Sequence, residues 1–203
     1  MKILQKIFSI FAFFILAFST SCVETMTIGS MATSAVVSRE KTISDTGKDA
    51  AISAKLLASL IANGLKNPGN MIDFDVNEGR VLLVGIARDV KKANLASEIA
   101  WKISGVKEVI DEIQLRDDFT FGDVGSGFYD YLITTTLETK LIFARKVSSV
   151  NYQVTTVGKV VYLLGVAVNN REMEKVLEIA SKVRGVEKVV NHIILADDHR
   201  RNE

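Results

Sequence analysis

The chain contains 203 residues, with 25 basic and 24 acidic side chains and a net charge of +1. A nearly neutral protein of this kind is not expected to bind the phosphate backbone of nucleic acids, because such binding requires a clearly basic surface. The single cysteine excludes an intramolecular disulfide.

The N-terminus has the order of charged and apolar residues that is typical of a secretory signal. Lys2 and Lys6 form a short positive region, and the run Ile7–Phe18 that follows contains a single polar residue. Small polar residues then lead to Cys22. The apolar run has about a dozen residues, whereas a spanning helix needs about 20, so we predict a signal peptide over residues 1–21. The residues alone leave open whether plain cleavage or lipid attachment follows.

Cys22 lies where lipoprotein processing requires a thiol. Its surroundings resemble a bacterial lipobox, because Thr20 and Ser21 are small, while Ser19 stands where that pattern prefers Leu. The resemblance implies that Cys22 becomes the lipid-bearing first residue of the mature chain. Val23 rather than Asp follows the cysteine, which implies the outer membrane in bacteria that sort lipoproteins by this position.

Residues 22–44 are rich in Thr, Ser, Gly, Met and Ala and show no sustained apolar period. That composition predicts a flexible tether between the lipid and the folded part of the chain. A structural role for this segment stays open as the alternative.

Two stretches of the chain recur 80 residues further on. Val81–Ala87 has the sequence VLLVGIA and Val161–Ala167 has VYLLGVA, while Gly105–Val109 (GVKEV) returns as Gly185–Val189 (GVEKV). The distance between the two stretches is the same in both copies. The sequence therefore predicts a duplicated unit, and the duplication determines both the domain count and the fold class.

The first copy predicts the element order helix, strand, strand, helix, strand. Apolar residues at helical spacing over residues 45–63 indicate the first helix. Alternation from Ile72 to Val76 indicates a half-buried strand, and the continuously apolar stretch 80–87 indicates a strand that is covered on both faces. Asp89 is expected to cap the second helix and Gly105 to end it.

The second copy repeats this order. We therefore predict an α+β fold of two tandem αββαβ modules, residues 45–115 and 129–196, each with a three-stranded mixed sheet and two helices on one face. Modules of about 70 residues are marginal alone, so the two are expected to share an interface, as a pseudo-symmetric or a staggered pair. Residues 116–128 are predicted to be a turn-rich linker and residues 197–203 a polar tail.

The repeated unit resembles the BON domain. The resemblance rests on Leu-x-Gly in the apolar strand and Gly-Val-x-x-Val after the second helix. These residues are Leu83, Gly85, Gly105, Val106 and Val109 in the first copy, and Leu163 or Leu164, Gly165, Gly185, Val186 and Val189 in the second. Two such modules behind a lipoprotein signal are similar to the dual BON-domain outer-membrane lipoproteins of Gram-negative bacteria. The resemblance implies binding of anionic phospholipid, a role in envelope integrity and association with the outer-membrane protein assembly machinery.

The same resemblance places lipid contact on the first helix of the second module. The family's Ile-Thr-Thr stretch appears here as residues 133–135. Leu132 occupies the position at which a known member of that group has an exposed Trp. The implied phospholipid-binding residues are Tyr131, Leu132, Ile133 and Lys140. An apolar wedge at a positive helix end suits the head-group region of a membrane.

Other aromatic and titratable residues have different predicted roles. Phe128 and Tyr129 either join this contact or pack against the linker or the first module, and Trp101 is expected in the core or between the modules. His192 is predicted to face solvent or an interface, and His199 to lie in the tail. Neither histidine has metal ligands at a suitable spacing and no nucleophile motif is present, so we expect no catalytic residue, cofactor or metal.

Two functions of different classes stay open besides the enzyme that the sequence disfavours. The first is a lipid-anchored, periplasm-facing outer-membrane protein that binds an anionic phospholipid membrane and supports envelope integrity. The alternative is a protein-interaction adaptor for the outer-membrane assembly machinery without direct lipid binding. Affinity for anionic vesicles discriminates between them.

Overall fold

The computed structural model describes residues 43–67, 70–116 and 124–201. The predicted signal peptide, Cys22 and nearly all of the predicted tether lie outside these described residues. Within the described ranges, the chain forms two successive modules.

Both modules contain the predicted order of helices and strands. Module 1 consists of α1 (Ile43–Ala62), β1 (Lys66–Asn67), β2 (Asn70–Asn77), β3 (Arg80–Ala87), α2 (Val90–Trp101) and β4 (Glu108–Leu115). Module 2 consists of α3 (Val124–Ile142), β5 (Tyr152–Val157), β6 (Val160–Ala167), α4 (Asn170–Ser181) and β7 (Lys188–Leu195), with short 3-10 helices at Ser149–Asn151 and His199–Arg201. Helix α3 begins inside the segment predicted as the linker, because glycines that are typical of turns are tolerated in the first turn of a helix whose later turns are well packed.

Each sheet is mixed, as predicted. Strands β2 and β3 are antiparallel and β3 and β4 are parallel, and the sheet of module 2 has the order β5-β6-β7 with the same pattern. Module 1 departs from the predicted three strands, because β1 pairs antiparallel with β2, with Lys66 opposite Met71. A strand of two residues has no alternating pattern, so the sequence carries no signal for it.

The central strands β3 and β6 are covered on both faces. Leu83 packs against the helices in the core of module 1, whereas Leu82 and Val84 point to the opposite side of the sheet. There they meet Tyr162 and Leu164 of β6. The two modules therefore form four layers, helices, sheet, sheet and helices, and their helix pairs lie on opposite outer faces. This confirms the predicted interface between the modules.

Equivalent positions of the two modules face each other across this interface. Thr155 Oγ1 donates to Asp75 Oδ2 at 2.5 Å, and His192 Nε2 lies 3.0 Å from Glu112 Oε1. Each pair is separated by the repeat distance of 80 residues. Contact between equivalent residues is what a two-fold axis produces, so the modules form a pseudo-symmetric rather than a staggered pair. His192 lies at an interface, one of its two predicted positions.

We predict that Asp75 makes the stability of the protein depend on pH. Burial raises the pKa of Asp75 above its ordinary value of 3.8, the hydrogen bond from Thr155 partly offsets this, and the negative charges of Asp73 and Glu138 add to it. Because the folded state then binds the proton more tightly than the unfolded chain, the free energy of unfolding decreases as pH rises from 3.8 through the raised value.

The variant Asp75→Asn should remove this decrease. It should be more stable than the wild type at about pH 7, where the buried carboxylate is charged, and should lose this advantage at about pH 3, where the carboxyl is protonated. Urea unfolding at the two pH values measures the difference. A stability difference that is the same at both would contradict the assignment.

The last described residues of module 2 return to module 1. Arg201 donates from Nε and Nη2 to the carboxylate of Glu78 at 2.8 and 2.9 Å. Lys107 Nζ donates to the carbonyl oxygen of Arg201 at 3.0 Å. This part of the predicted polar tail therefore contributes an ion pair and a hydrogen bond to the contact between the modules.

Candidate membrane-contact surface

The inner side of α3 is fixed by the core and by a turn of module 2. Three apolar residues at helical spacing pack over the sheet: Ile133, Leu137 and Leu141. Asp130, in the same helix, accepts hydrogen bonds from the backbone N–H groups of Gly158 and Lys159 at 2.7 and 2.8 Å. A carboxylate that binds two amides of the β5–β6 turn fixes both the rotation and the axial position of the helix.

The outer side of α3 and the residue that follows its last turn carry large apolar side chains that solvent can reach. Their exposed fractions run from 42% to 81%, and they are Phe128, Tyr129, Tyr131, Leu132, Ile142 and Phe143. We call this surface the α3 face. Phe128, Leu132 and Phe143 are spaced i, i+4 and i+15, so they lie close to one line along the helix, about 22 Å long at a rise of about 1.5 Å per residue.

Threonines rather than charged residues occupy the middle of this line. Thr135 Oγ1 donates to the carbonyl oxygen of Tyr131 at 2.9 Å, and Thr139 Oγ1 donates to that of Thr135 at 2.7 Å. Because these hydroxyls are satisfied by the helix backbone, they can leave water without losing a hydrogen bond. Glu138 and Lys140 lie one on each side of the line by the geometry of the helix.

The structure separates the predicted phospholipid-binding residues into two groups. Tyr131 and Leu132 belong to the α3 face, and Lys140 is exposed beside it. Ile133 is 4% exposed and packs in the core of module 2, so its prediction as a contact residue is wrong. One step along a helix turns the side chain by about 100°, which directs Ile133 inward when Leu132 points outward.

The remaining aromatic residues at the start of α3 are also exposed. The rings of Phe128 and Tyr129 pack edge to face on each other, with centroids 6.2 Å apart and planes at 71°, and both side chains stay open to solvent rather than packing against module 1. Ile142 and Phe143 were not expected on this surface. Helical spacing could have indicated Phe143, because at 3.6 residues per turn it returns to the side of the helix that carries Leu132.

Helix α1 of module 1 provides an internal comparison. Asp49 accepts from the amides of Glu78 and Gly79 at 2.8 and 2.9 Å, as Asp130 does in module 2, so the two aspartates are equivalent. Counted from them, the positions of Phe128, Tyr129, Tyr131 and Leu132 correspond in α1 to Gly47, Lys48, Ala50 and Ala51. The same fold forms with small or charged residues there, so the apolar side chains that begin the α3 face are not required for folding.

Trp101 is 55% exposed, so its predicted position in the core or between the modules is wrong. Helix α2 approaches the sheet with small residues, which leave no room for an indole beneath it: Ala93, Ala96 and Ala100. Trp101 follows the last of these by one residue and is therefore turned about 100° away from the sheet.

Neither a spanning helix nor a metal site occurs in the described part of the chain. None of its helices combines the length and the apolar character that crossing a bilayer requires. Over the same ranges, no three His, Cys, Asp or Glu side chains are grouped as the ligands of an ion would be. His192 contacts Glu112, and His199 Nδ1 lies 3.5 Å from Asp198.

The fold and the exposed helix define a duplicated α+β module that presents an apolar surface. The chain matches the BON domain over residues 48–117 and again over residues 130–197. Together these matches cover more than half of the chain, so the protein belongs to the BON domain family and is a dual BON-domain protein.

Curated proteins similar to this chain come from several bacteria. An "uncharacterized protein in gshII 5'region" of Anaplasma centrale is 36% identical over 148 residues, which are 72% of this chain and 94% of that protein. The outer membrane lipoprotein DolP of Haemophilus influenzae is 30% identical over 112 residues, 55% of this chain and 56% of that protein. Osmotically-inducible protein Y of Escherichia coli is 29% identical over 146 residues, 71% of each chain.

Proposed function

We propose that this protein is anchored in the outer membrane by lipid at Cys22, faces the periplasm, and binds the phospholipid membrane surface through the α3 face in support of envelope integrity. The proposal includes no catalytic step. The observation that carries it is the α3 face, whose first four residues, Phe128, Tyr129, Tyr131 and Leu132, have small or charged counterparts at the start of α1. DolP, which is named an outer membrane lipoprotein, supports the location.

The chemistry of the α3 face suits a helix that lies on a bilayer. Such a helix buries its apolar side about 5–10 Å into the boundary between head groups and acyl chains. Leu132 and Phe143 would each gain on the order of 1 kcal/mol or more by leaving water. Tyr129 and Tyr131 suit the same depth, because the ring is apolar while the hydroxyl can reach water. Lys140 adds about 1 kcal/mol of attraction to an anionic surface.

A lipid at Cys22 and contact through the α3 face would act together. The diacylglyceryl group that lipobox processing would attach to Cys22 carries two acyl chains, which is enough for stable attachment. The anchor also keeps the folded part close to the membrane, so that each encounter of α3 with the bilayer becomes intramolecular. A modest intrinsic affinity of the α3 face is then sufficient for lasting contact.

Co-sedimentation with vesicles tests the membrane contact. The chain from Val23 onward carries no lipid, so any binding must come from the protein itself. We expect it to sediment with vesicles that contain phosphatidylglycerol and much less with vesicles of phosphatidylcholine alone. If vesicles of no composition retain it, direct lipid contact is rejected.

Incorporation of radiolabelled palmitate tests the anchor. We expect label in the wild-type protein from growing Gram-negative cells and none in Cys22→Ser, because Cys22 is the only thiol in the chain. The variant Ser21→Ala, which keeps a small residue before the cysteine, serves as the control and should remain labelled. Equal labelling of the wild type and Cys22→Ser would refute acylation at this residue.

An adaptor for the outer-membrane assembly machinery is the second candidate function. It is favoured by Trp101, because exposed tryptophans are enriched where proteins bind each other. The two helix pairs lie on opposite outer faces, so a membrane bound by α3 would leave α2 directed away from the bilayer. Photo-cross-linking from position 101 that recovers assembly components, in a protein without vesicle affinity, would support this candidate.

A further inference from the structure

An open cavity lies beside the C-terminal end of the α3 face. Its volume is about 1010 Å³. One wall is the loop after α3, residues 146–148, and the other is residues 168–172, which lead into α4, together with Glu174 and Lys175. Lys175 Nζ donates to the carbonyl oxygen of Arg145 at 2.8 Å and so joins the two walls. Lys146 follows the exposed Phe143 by three residues, so this wall of the cavity begins one short loop after the end of the α3 face.

The border of this cavity has three basic side chains: Lys146, Arg171 and Lys175. Lys146 and Arg171 are exposed, and neither makes a side-chain hydrogen bond or ion pair with another described residue. Two acidic residues also line the cavity, Glu172 and the exposed Glu174. The carboxylate of Glu172 is buried and accepts the amides of Ser148 and Val168 at 2.7 and 2.9 Å, so each of its oxygens has a partner within the protein.

The start of α4 contributes backbone amides to one wall of the cavity. Asn169 caps this helix with a neutral side chain, whose Oδ1 accepts the amide of Glu172 at 3.0 Å. In module 1 the corresponding cap is Asp89, whose carboxylate accepts the amide of Lys91 at 2.8 Å. The first turn of α4 contains the acidic Glu172, whereas the first turn of α2 contains no acidic residue. The two helix starts therefore differ in where the negative charge lies, at the cap in α2 and inside the helix in α4.

Lys146 is held in a backbone conformation that is unfavourable for a lysine. Its φ angle is +63°, and the residue that adopts this region after α1 in module 1 is a glycine, Gly64, with φ of +64°. For a residue with a side chain, the left-handed region is sterically unfavourable. A glycine at position 146 would relieve that cost while removing the charge, which makes Lys146→Gly a useful variant.

We propose that this cavity holds the phosphate of an anionic phospholipid head group whose acyl chains contact the α3 face at Phe143. The inference rests on the proposed membrane contact and identifies where the head group lies. Lys146, Arg171 and Lys175 supply charge-assisted donors, and the first amides of α4 supply others. Lys146 lies three residues after the exposed Phe143, and a phospholipid likewise carries its phosphate a short distance from its acyl chains.

A pair of double variants tests the proposal on vesicles. Lys146→Gly with Arg171→Gln should lower affinity for phosphatidylglycerol vesicles about tenfold or more, since each basic residue at the surface contributes about 1 kcal/mol. Lys55→Gln with Lys91→Gln removes two charges that are exposed on module 1 and should change that affinity by less than about twofold. Thermal unfolding checks that both variants fold. Equal losses for the two pairs would overturn the proposal, because they would show long-range attraction without a site.

Amide NMR shifts identify the ligand. Glycerophosphoglycerol, the water-soluble head group, should shift the amides of residues 146–148 and 169–171 in the wild type but not in the Lys146→Gly, Arg171→Gln variant. Inorganic phosphate should shift them less. No shift with either compound overturns the site. A wild type that shows these shifts but binds no vesicle rejects the membrane contact and also rejects lipid as the source, leaving a site for soluble phosphodiesters.

Discussion

Replacing Tyr131 and Leu132 by alanine, which α1 carries at the equivalent positions, should lower the affinity for phosphatidylglycerol vesicles about tenfold or more. Both side chains are exposed, so the double variant removes surface that would enter the head-group region and leaves the core intact. The transfer free energy lost is roughly 1–3 kcal/mol. The free energy of unfolding should change by less than about 1 kcal/mol, as is usual for two surface substitutions. Co-sedimentation of the chain from Val23 onward provides the measurement.

The matched control for this variant is Leu57→Ala with Ile61→Ala. These two residues are exposed on α1, so the control removes apolar surface of a similar kind from the other module. Its vesicle affinity should equal that of the wild type. If the control pair lost affinity and the Tyr131, Leu132 pair kept it, the contact would lie on module 1 and the α3 face would be the wrong surface.

The order of helices and strands could be predicted because its signals are local and occur twice. Strands β3 and β6 are continuously apolar because one face meets helices and the other meets a second sheet. Asp89 caps α2 as predicted, with its carboxylate 2.8 Å from the amide of Lys91. The short β1 escaped prediction, since its pairing with β2 depends on where the chain turns after α1 and not on its own residues.

The contacts between the modules have no local signal in the sequence. Asp75 lies in an alternating strand whose polar residues could equally face water, and only the packed sheets bring it to Thr155. The same holds for Glu112 and His192. The repeat raised the possibility of a pseudo-symmetric pair, but a staggered pair would have preserved every pattern along the chain. Trp101 was misplaced for a related reason, because aromatic character alone does not tell which side of a helix packs.

The candidate site could be predicted in part because the two copies differ at the start of their first helices. That difference indicated Tyr131 and Leu132 correctly as surface residues. The resemblance to a family motif also led to the prediction of Ile133 as a contact residue. A motif consists of consecutive residues, whereas the residues on one side of a helix are not consecutive. Neighbouring residues point about 100° apart, while Phe128 and Phe143, 15 positions apart, share a side. The cavity beside α4 requires two loops to meet and could not be predicted from either.

A Cβ atom has no room at the glycine of either Leu-x-Gly motif. At Gly85, where φ is +116°, it would overlap the carbonyl oxygen of Met71 on β2. At Gly165 it would overlap the carbonyl oxygen of Asn151 and lie 2.8 Å from Tyr152 Cδ1. The atoms in the way include backbone of the neighbouring chain segment, which cannot move without disturbing the pairing of the strands. Glycine is therefore required at this position of the motif, because the backbone of a neighbouring segment lies too close to it for a side chain.

Gly85→Ala should consequently cost on the order of 4 kcal/mol or more of stability, a large part of what a domain of this size has. Gly165→Ala should cost somewhat less, because no left-handed φ adds to the overlap. Gly47→Ala is the control: no atom lies within 4 Å of the added Cβ, and alanine favours the helix by about 0.5–1 kcal/mol. Urea unfolding compares them. Loss of module 1 would also uncover Tyr162 and Leu164, so Gly85→Ala should lower the midpoint of the whole protein in one transition, and a wild-type midpoint would disprove the close approach.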